Sequence, residues 1–260
     1  MKTPPSKTIV FITGAFITHL CWDNWIPHFE SQGYKVIVPQ WPNKTDDAEA
    51  MRNAHPNPAV ASTRLAALTD YFAGIVSQQQ EKPILIGHSI GGLIVQLLVQ
   101  RELAALGVAI HSVPPQGLIT FNLSFLKAGW GPLGFFTPVK VPFLMSFKQW
   151  QFAFTNGMSM EEQTQTYYKL ATPESKLLVR DTITAAAKVD FGKAHAPLLF
   201  LAGAKDHTIP ASLNYSNYKK YTEISSVTDY KLFESANHAV LVQACWKEKA
   251  TYILNWIKRQ

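Results

Sequence analysis

The stretch Pro83-Ile84-Leu85-Ile86-Gly87-His88-Ser89-Ile90-Gly91-Gly92 places a serine between small residues, where a short apolar run gives way to a helical pattern. Residues 83–87 are typical of a central strand in a parallel sheet, and residues 90–103 predict a helix. Small residues beside a serine at such a turn let strand and helix approach each other and leave the hydroxyl exposed above the sheet. The stretch therefore predicts an α/β fold with Ser89 as a nucleophile.

The rest of the chain repeats this alternation of strand and helix. Residues 40–58, rich in Asn, Asp and Pro, predict a loop. Strands are predicted over 8–13, 34–38, 83–87, 108–113, 197–203 and 230–234, and helices over 22–32, 59–80, 90–103, 215–221 and 244–258. Such an order predicts a mostly parallel central sheet flanked by helices.

One segment interrupts the alternation. Between residues 114 and 196 the strand periodicity disappears, and residues 114–160 hold ten Phe or Trp residues but only three charged ones, Lys127, Lys140 and Lys148. We therefore expect residues 1–113 and 197–260 to form the core, with residues 114–196 inserted as a helical cap or lid.

Composition excludes several classes of protein. The chain has 260 residues, of which 47% are hydrophobic and 16% charged, as in an ordinary globular domain. The net charge of +6 comes from Lys and Arg residues that are not clustered, so no nucleic-acid binding is expected. No signal peptide and no stable membrane insertion are expected either, which leaves a cytoplasmic location as the default.

The two cysteines, Cys21 and Cys245, have no ligand-like spacing. They predict neither a disulfide framework nor a zinc site and favour a reducing compartment, although the sequence leaves open whether they pair in space.

The serine motif and two later segments make the chain resemble the α/β-hydrolase superfamily. That family carries its triad in the order serine, acid, histidine. Ala202-Gly203-Ala204-Lys205-Asp206-His207-Thr208-Ile209-Pro210 is similar to the acid-bearing segment, and Ser235-Ala236-Asn237-His238-Ala239 to the histidine segment. The resemblance implies an α/β-hydrolase fold with Ser89, Asp206 and His238 as catalytic residues.

Three other residues compete for these roles. His207 is a rival base that we expect to be exposed, and Asp229 and Glu234 are rival acids. His88 lies inside the turn, where we expect its side chain to point away from the serine and to pack structurally.

The family stabilises the tetrahedral intermediate with two backbone N–H groups. The resemblance implies that Ile90, after the nucleophile, supplies one and that Ala15, after the first strand, supplies the other. This chain has Thr13-Gly14 where many relatives have His-Gly, which leaves Phe16 as an alternative donor.

Aromatic residues of the insertion predict an apolar pocket. The candidates for its lining are Phe16, Phe121, Phe125, Trp130 and Phe136. Such a pocket favours small to medium apolar esters, so the sequence predicts a carboxylesterase that uses an acyl-enzyme intermediate and needs neither metal nor cofactor. A monomer or a homodimer is expected.

Other chemistry on the same triad stays open: a carbon–carbon hydrolase, a cofactor-free dioxygenase, a hydroxynitrile lyase, or a ligand receptor with vestigial hydrolysis. Residues 13–16 and Trp22 look like the plant hydroxynitrile lyase and methyl-ester esterase branch. The lyases of that branch also use a lysine and a threonine whose places Lys205 and Thr13 do not clearly occupy. Epoxide hydrolases and haloalkane dehalogenases place an aspartate where this chain has Ser89.

Overall fold

A single parallel sheet forms the centre of the molecule. The computed structural model describes residues 6–260, so the first five residues of the predicted core lie outside the described part. The six strands pair side by side in the order β2-β1-β3-β4-β5-β6, all parallel, which confirms the predicted fold class. The strands are β1 (Thr8–Ile12), β2 (Lys35–Ile37), β3 (Ile84–His88), β4 (Leu106–Ile110), β5 (Leu198–Gly203) and β6 (Thr228–Phe233).

The order of the strands reverses direction at β1. β2 lies on one side of β1 and β3 on the other, and ligands of open α/β sheets bind at the carboxyl ends of strands beside such a point. The register pairs Ile12 with Gly87 and His88 with Ile110, so β1, β3 and β4 end close together. The turn that holds Ser89 therefore lies where the topology favours a site.

Helices cover the sheet. Those of the core are α1 (Trp25–Glu30), α2 (Ala48–Asn53), α3 (Pro58–Ala61), α4 (Leu65–Ser77), α5 (Ile90–Gln100), α10 (Ala211–Tyr218) and α11 (Trp246–Ile257). The prediction of a loop over residues 40–58 is wrong where α2 forms. Asp47 caps that helix, with Oδ1 accepting a hydrogen bond from the Ala50 amide at 2.8 Å.

The predicted helix over residues 59–80 is two helices, α3 and α4, because a distant residue caps the second one. Asp181 accepts a hydrogen bond from the Leu65 amide at 3.0 Å and forms two further bonds, each 2.7 Å, with the Arg64 guanidinium. This carboxylate satisfies an amide at the start of α4 that has no partner within the helix. The break is thus a tertiary effect.

Residues 114–196, which we call the inserted segment, lie between β4 and β5, and their regular structure is mainly helical. The segment contains α6 (Leu123–Leu133), α7 (Phe147–Ala153), α8 (Met160–Leu170), α9 (Lys176–Asp181) and a short 3₁₀ turn at Ala185–Ala187. Helix α6 packs against α7 and α9. The longest helix described, α4, has 13 residues, and no described helix is long and apolar enough to cross a membrane.

The cysteine thiols do not pair. Cys21 is buried and Cys245 is half-buried, and both are free. The pairing that the sequence left open does not occur. Burial is the main cause that raises the pKa of the Cys21 thiol far above its ordinary value.

Candidate active site

A strained turn between β3 and α5 presents Ser89. The serine has φ 56° and ψ −118°, in the left-handed half of the backbone map that side-chain-bearing residues rarely adopt. A Cβ atom at Gly87 would overlap the Gly91 carbonyl, and one at Gly91 would overlap the Ile12 carbonyl. The two glycines let β3, α5 and the end of β1 approach closely enough for the serine to stand at the carboxyl edge of the sheet.

Ser89, His238 and Asp206 are joined by hydrogen bonds. His238 Nδ1 lies 2.7 Å from Asp206 Oδ2, and His238 Nε2 lies 3.2 Å from Ser89 Oγ. A carboxylate only accepts, so Nδ1 carries the proton and Nε2 is free to accept from the serine hydroxyl. All three residues are buried. Residues from the ends of three different strands thus meet in the arrangement that a nucleophile and its base require.

The Asp206 carboxylate accepts four hydrogen bonds. Its Oδ1 accepts from the amides of Thr208 and Ile209, each at 2.8 Å, and its Oδ2 accepts from His238 and His111, each at 2.7 Å. Burial by itself raises the pKa of this carboxyl. The favourable electrostatic interaction with His238 and the two imidazole hydrogen bonds outweigh it and hold the pKa of Asp206 well below its usual range. The carboxylate is therefore ionised and fixed in place.

His111 is a part of this cluster that sequence reasoning missed. It follows β4 directly, has a positive φ of 47° and is fully buried. Its Nδ1–H donates to the same carboxylate oxygen as His238, and burial is the main cause that lowers its pKa. The one sequence signal was a histidine immediately after a wholly apolar strand, at the edge of the sheet where the other site residues lie.

His88 forms a hydrogen bond with the backbone of the loop that carries His238. Its Nε2–H donates to the His238 carbonyl at 2.9 Å, and the two imidazole rings lie 4.7 Å apart. Burial is the main cause that lowers the pKa of His88 well below its ordinary value, and the proximity of the His238 and His111 imidazoles lowers it further. A neutral His88 thus holds the backbone of His238 rather than facing the serine.

Three of these side chains could in principle hold a metal. The ligand atoms of His111, Asp206 and His238 lie within 4.8 Å of one another. Both imidazoles, however, donate protons to Asp206 Oδ2 over 2.7 Å, the length of a charge-assisted hydrogen bond. A metal would have to displace both protons inside a buried cluster, so these residues fit a hydrogen-bonded role better than a metal centre.

The rival acids and base lie elsewhere. His207 is half-buried rather than exposed, and its Nδ1–H donates to the Phe152 carbonyl at 3.0 Å. Asp229 lies within β6 and accepts a 2.6 Å hydrogen bond from the Trp256 indole, while Glu234 is exposed. None of the three bonds to His238.

The inserted segment braces the two loops that carry Asp206 and His238. Thr208 Oγ1 donates to the Ala153 carbonyl at 2.6 Å. Asn156 Nδ2 donates to the Lys205 carbonyl at 2.8 Å, and the Asn156 carbonyl accepts from Asn237 Nδ2 at 2.9 Å. The end of α7 and the residues after it therefore help to position the site as well as cover it.

A second brace holds the loop after β1. Phe16, with φ 67°, donates its amide to Glu174 Oε2 at 3.2 Å, and its carbonyl accepts from the Thr172 amide at 2.9 Å. Glu174 Oε2 also pairs with Lys44 Nζ at 2.6 Å, with both side chains almost entirely buried. An ion pair that is buried on both sides thus fixes the conformation of the loop beside Ser89.

Two backbone amides near Ser89 have no acceptor. Within residues 6–260, the Ala15 amide and the Ile90 amide at the first position of α5 donate to no other group, and both residues line the cavity beside Ser89. The Phe16 amide is already occupied by Glu174. Ala15 and Ile90 are therefore the amides available to a ligand, whereas Phe16 is not.

An apolar cavity of about 260 Å³ opens on Ser89 and His238. Helix α6 forms its far wall with Phe125, Gly129 and Leu133, which share one face of the helix at spacings of four. Among the described residues that line it, none is Asp, Glu, Lys or Arg. The cavity suits an uncharged apolar group.

Three of the five predicted lining residues border this cavity: Phe16, Phe125 and Trp130. Phe121 and Phe136 do not, since both are 87% exposed. Sequence reasoning also missed Met145, Phe154 and Ile183, which line the cavity. The Phe154 ring stands edge-on to the His238 ring at 4.7 Å and shields it from water.

Neither Lys205 nor Thr13, the two residues considered for lyase chemistry, forms a hydrogen bond with Ser89. Lys205 is exposed, and the Thr13 hydroxyl accepts a 3.2 Å hydrogen bond from the Trp22 indole.

Comparison with known proteins places this geometry in context. The model of the alpha/beta hydrolase family matches residues 9–246. No curated protein sequence matches the chain. Similar solved structures include a methylesterase from Arabidopsis, with 15% identity, a TM-score of 0.68 and coverage of 98% of this chain and 100% of that one. Tomato methylketone synthase I, complexed with 2-tridecanone, has 17% identity, a TM-score of 0.70 and 98% coverage of both chains. A pyrethroid hydrolase from Sphingobium faniae has 17% identity, a TM-score of 0.66 and 97% coverage of both.

Proposed function

Because the chain belongs to the alpha/beta hydrolase family, we propose that it is a serine hydrolase of small to medium apolar carboxylic esters. The observation that carries the proposal is the unbroken series of hydrogen bonds from Asp206 through His238 to Ser89, which ends at an apolar cavity. The methylesterase is named for ester hydrolysis and the pyrethroid hydrolase for hydrolysis, and both names support a hydrolytic reaction here.

In the proposed reaction, Ser89 Oγ attacks the ester carbonyl carbon while its proton passes to His238 Nε2. The carbonyl π electrons move to the oxygen. When they return, the bond to the alcohol oxygen breaks, and the alcohol leaves with the proton from His238. Water then attacks the acyl-serine by the same two steps, which releases the acid and restores Ser89. Asp206 keeps the imidazole in the required tautomer and stabilises its cation.

The amides of Ala15 and Ile90 are the proposed donors to the oxygen that becomes negative. Each lacks another acceptor, so neither has to break a hydrogen bond to bind the oxyanion. One such donor lowers the barrier by about 2.7–4 kcal/mol. The brace between Phe16 and Glu174 holds the loop in this conformation before substrate arrives, which avoids reorganisation during the reaction.

We propose residues 114–196 as the cap that selects the substrate. The cavity wall formed by α6 carries aliphatic and aromatic side chains and no charge, so an acyl group or an apolar alcohol fits where a sugar or a carboxylate does not.

A graded series of p-nitrophenyl esters tests the proposal. Replacement of Ser89 by Ala should reduce turnover on the order of 10⁴- to 10⁶-fold. The matched control is Ser216→Ala, which removes an exposed hydroxyl on α10 and should leave turnover unchanged. A fluorophosphonate probe should label Ser89 alone, as read by peptide mass spectrometry. Unchanged esterase turnover in the Ser89 variant, or no labelling of Ser89, would exclude the acyl-enzyme mechanism.

A further inference from the structure

An exposed apolar surface surrounds α6. Leu123, Leu126 and Trp130 follow one another at spacings of three and four and so share one face of the helix. We call this surface the α6 patch; its members are Ile119, Phe121, Leu123, Leu126, Trp130, Phe135 and Phe136, all of them exposed. Water-soluble proteins seldom leave so many large apolar side chains together without a binding role.

The charged residues of the segment that carries the patch have one sign. Residues 114–160 contain Lys127, Lys140 and Lys148 and no Asp or Glu. All three lysines are exposed, and in the described part of the chain none forms an ion pair, whereas Lys44, Lys169, Lys193 and Lys249 do. An apolar face bordered by unpaired lysines complements a surface that is both apolar and anionic.

We propose that the α6 patch docks the protein peripherally on an anionic lipid bilayer. Phe121, Phe136 and Trp130 would enter the boundary between head groups and acyl chains, where aromatic side chains are favoured. The lysines would face the anionic head groups. No described helix is long enough to span the bilayer, so the attachment is to its surface.

A second copy of the chain fits this surface less well. In a twofold-symmetric dimer the same patch meets itself, which would bring six lysines together without one carboxylate from residues 114–160. Like charges in contact oppose such an interface. The bilayer supplies the opposite charge that a second copy lacks.

The patch continues into the cavity beside Ser89. Leu126, Trp130 and Phe135 belong to both, so a docked patch would open the cavity toward the acyl chains. Apolar molecules dissolved in the bilayer could then enter without crossing water. The docking itself does not depend on the proposed hydrolysis, because Ser89 takes no part in it.

Vesicle co-sedimentation of the full chain tests the proposal. One set of vesicles is phosphatidylcholine alone and the other is phosphatidylcholine mixed with phosphatidylglycerol. The protein should bind the anionic vesicles at least about 10-fold more tightly. The double variant Phe121→Ser, Phe136→Ser should weaken that binding at least about 10-fold. Lys140→Gln should weaken it about 5-fold.

A matched control carries Ile224→Ser and Lys219→Gln. Ile224 is 98% exposed and precedes β6, so it lies at the edge of the sheet opposite Ser89, and Lys219 is an exposed neighbour. The control and Ser89→Ala should bind like the parent chain. Equal binding by the patch variant and the control overturns the proposal, as does equal binding to both kinds of vesicle. A dimer in sedimentation velocity that the patch variant converts to monomer also overturns it, in favour of a second copy.

Discussion

The carboxyl edge of the sheet and the α6 patch lie on either side of one cavity, yet they are built in opposite ways. At the edge, Ser89, Asp206 and His238 are buried and each is held by hydrogen bonds. On the outer face of α6, apolar side chains project into solvent, and within the described residues the neighbouring lysines have no acidic partner.

This contrast reflects two different demands. Reacting groups must be preorganised, which requires glycines, strained backbone and shared hydrogen bonds at defined places. A wall that accepts apolar groups needs only suitable volume and polarity. Substitutions at the edge should therefore have large, specific effects, and those on α6 should have small ones.

The largest effect on stability is expected from the buried ion pair that joins the inserted segment to the core. Replacing Glu174 by Gln leaves the Lys44 ammonium buried without a counter-charge. We expect the free energy of unfolding to fall by about 3–5 kcal/mol, as is typical when one partner of a buried pair is removed. Urea denaturation measures this change.

The control for that measurement is Arg101→Gln. It breaks a pair with Asp70 in which the two side chains are 41% and 67% exposed, so the loss should be below about 1 kcal/mol. If the two variants lose equal stability, the buried pair does not hold the inserted segment to the core.

A pair of glycine substitutions compares the regions directly. Gly91→Ala forces a methyl group into the backbone at Ile12 and should cost about 3 kcal/mol and most of the activity. Gly129→Ala, within α6, meets only the end of Leu133 at 4.0 Å and should raise stability by up to about 1 kcal/mol. Thermal and urea unfolding of both variants give the result. A tolerated Gly91→Ala would show that the turn is less crowded than its contacts indicate.

The last effect is a dependence of stability on pH, to which two buried histidines at the edge contribute. Burial holds the pKa values of His88 and His111 below 6.5 in the folded state, so below that pH the unfolded chain binds protons that the folded chain does not. The free energy of unfolding should therefore fall as pH decreases below about 6.5, by up to about 1.4 kcal/mol per pH unit for each histidine. The stability that Asp206 gains from its lowered pKa is lost only as pH falls below 3.8.

His111→Asn isolates one contribution, because the amide can still donate to Asp206 but does not titrate in this range. Its unfolding free energy, measured by urea denaturation from about pH 7.5 to about pH 5, should decline less steeply than that of the parent chain. Identical slopes would mean that His111 does not remain neutral in the folded state.

Local patterns predicted the sheet and the position of Ser89 because both follow from short-range constraints. A run of buried apolar residues ending in Gly87-His88-Ser89-Ile90-Gly91 allows few backbone paths. The break between α3 and α4 could not be predicted in this way, since Asp181, more than a hundred residues away, supplies the cap. The role of His111 could not be predicted for the same reason, since only the order of the strands brings this residue close to Asp206.

The start of α6 separates a predicted lining residue that borders the cavity from one that does not. Phe125 lies within the helix and faces the cavity, whereas Phe121 precedes the helix, which begins at Leu123 after the capping residue Asn122. Helical periodicity does not extend across a cap, so composition alone could not assign a direction to Phe121.

The braces from the inserted segment also define what can be exchanged between related chains. Residues near Asn156 and Glu174 hold the loops of the site, so a graft that replaced all of residues 114–196 would remove these supports along with the cavity wall. A graft limited to residues 114–145 would replace α6 and spare both braces. We expect recombination to yield working chimeras with new substrate preferences only within that shorter unit.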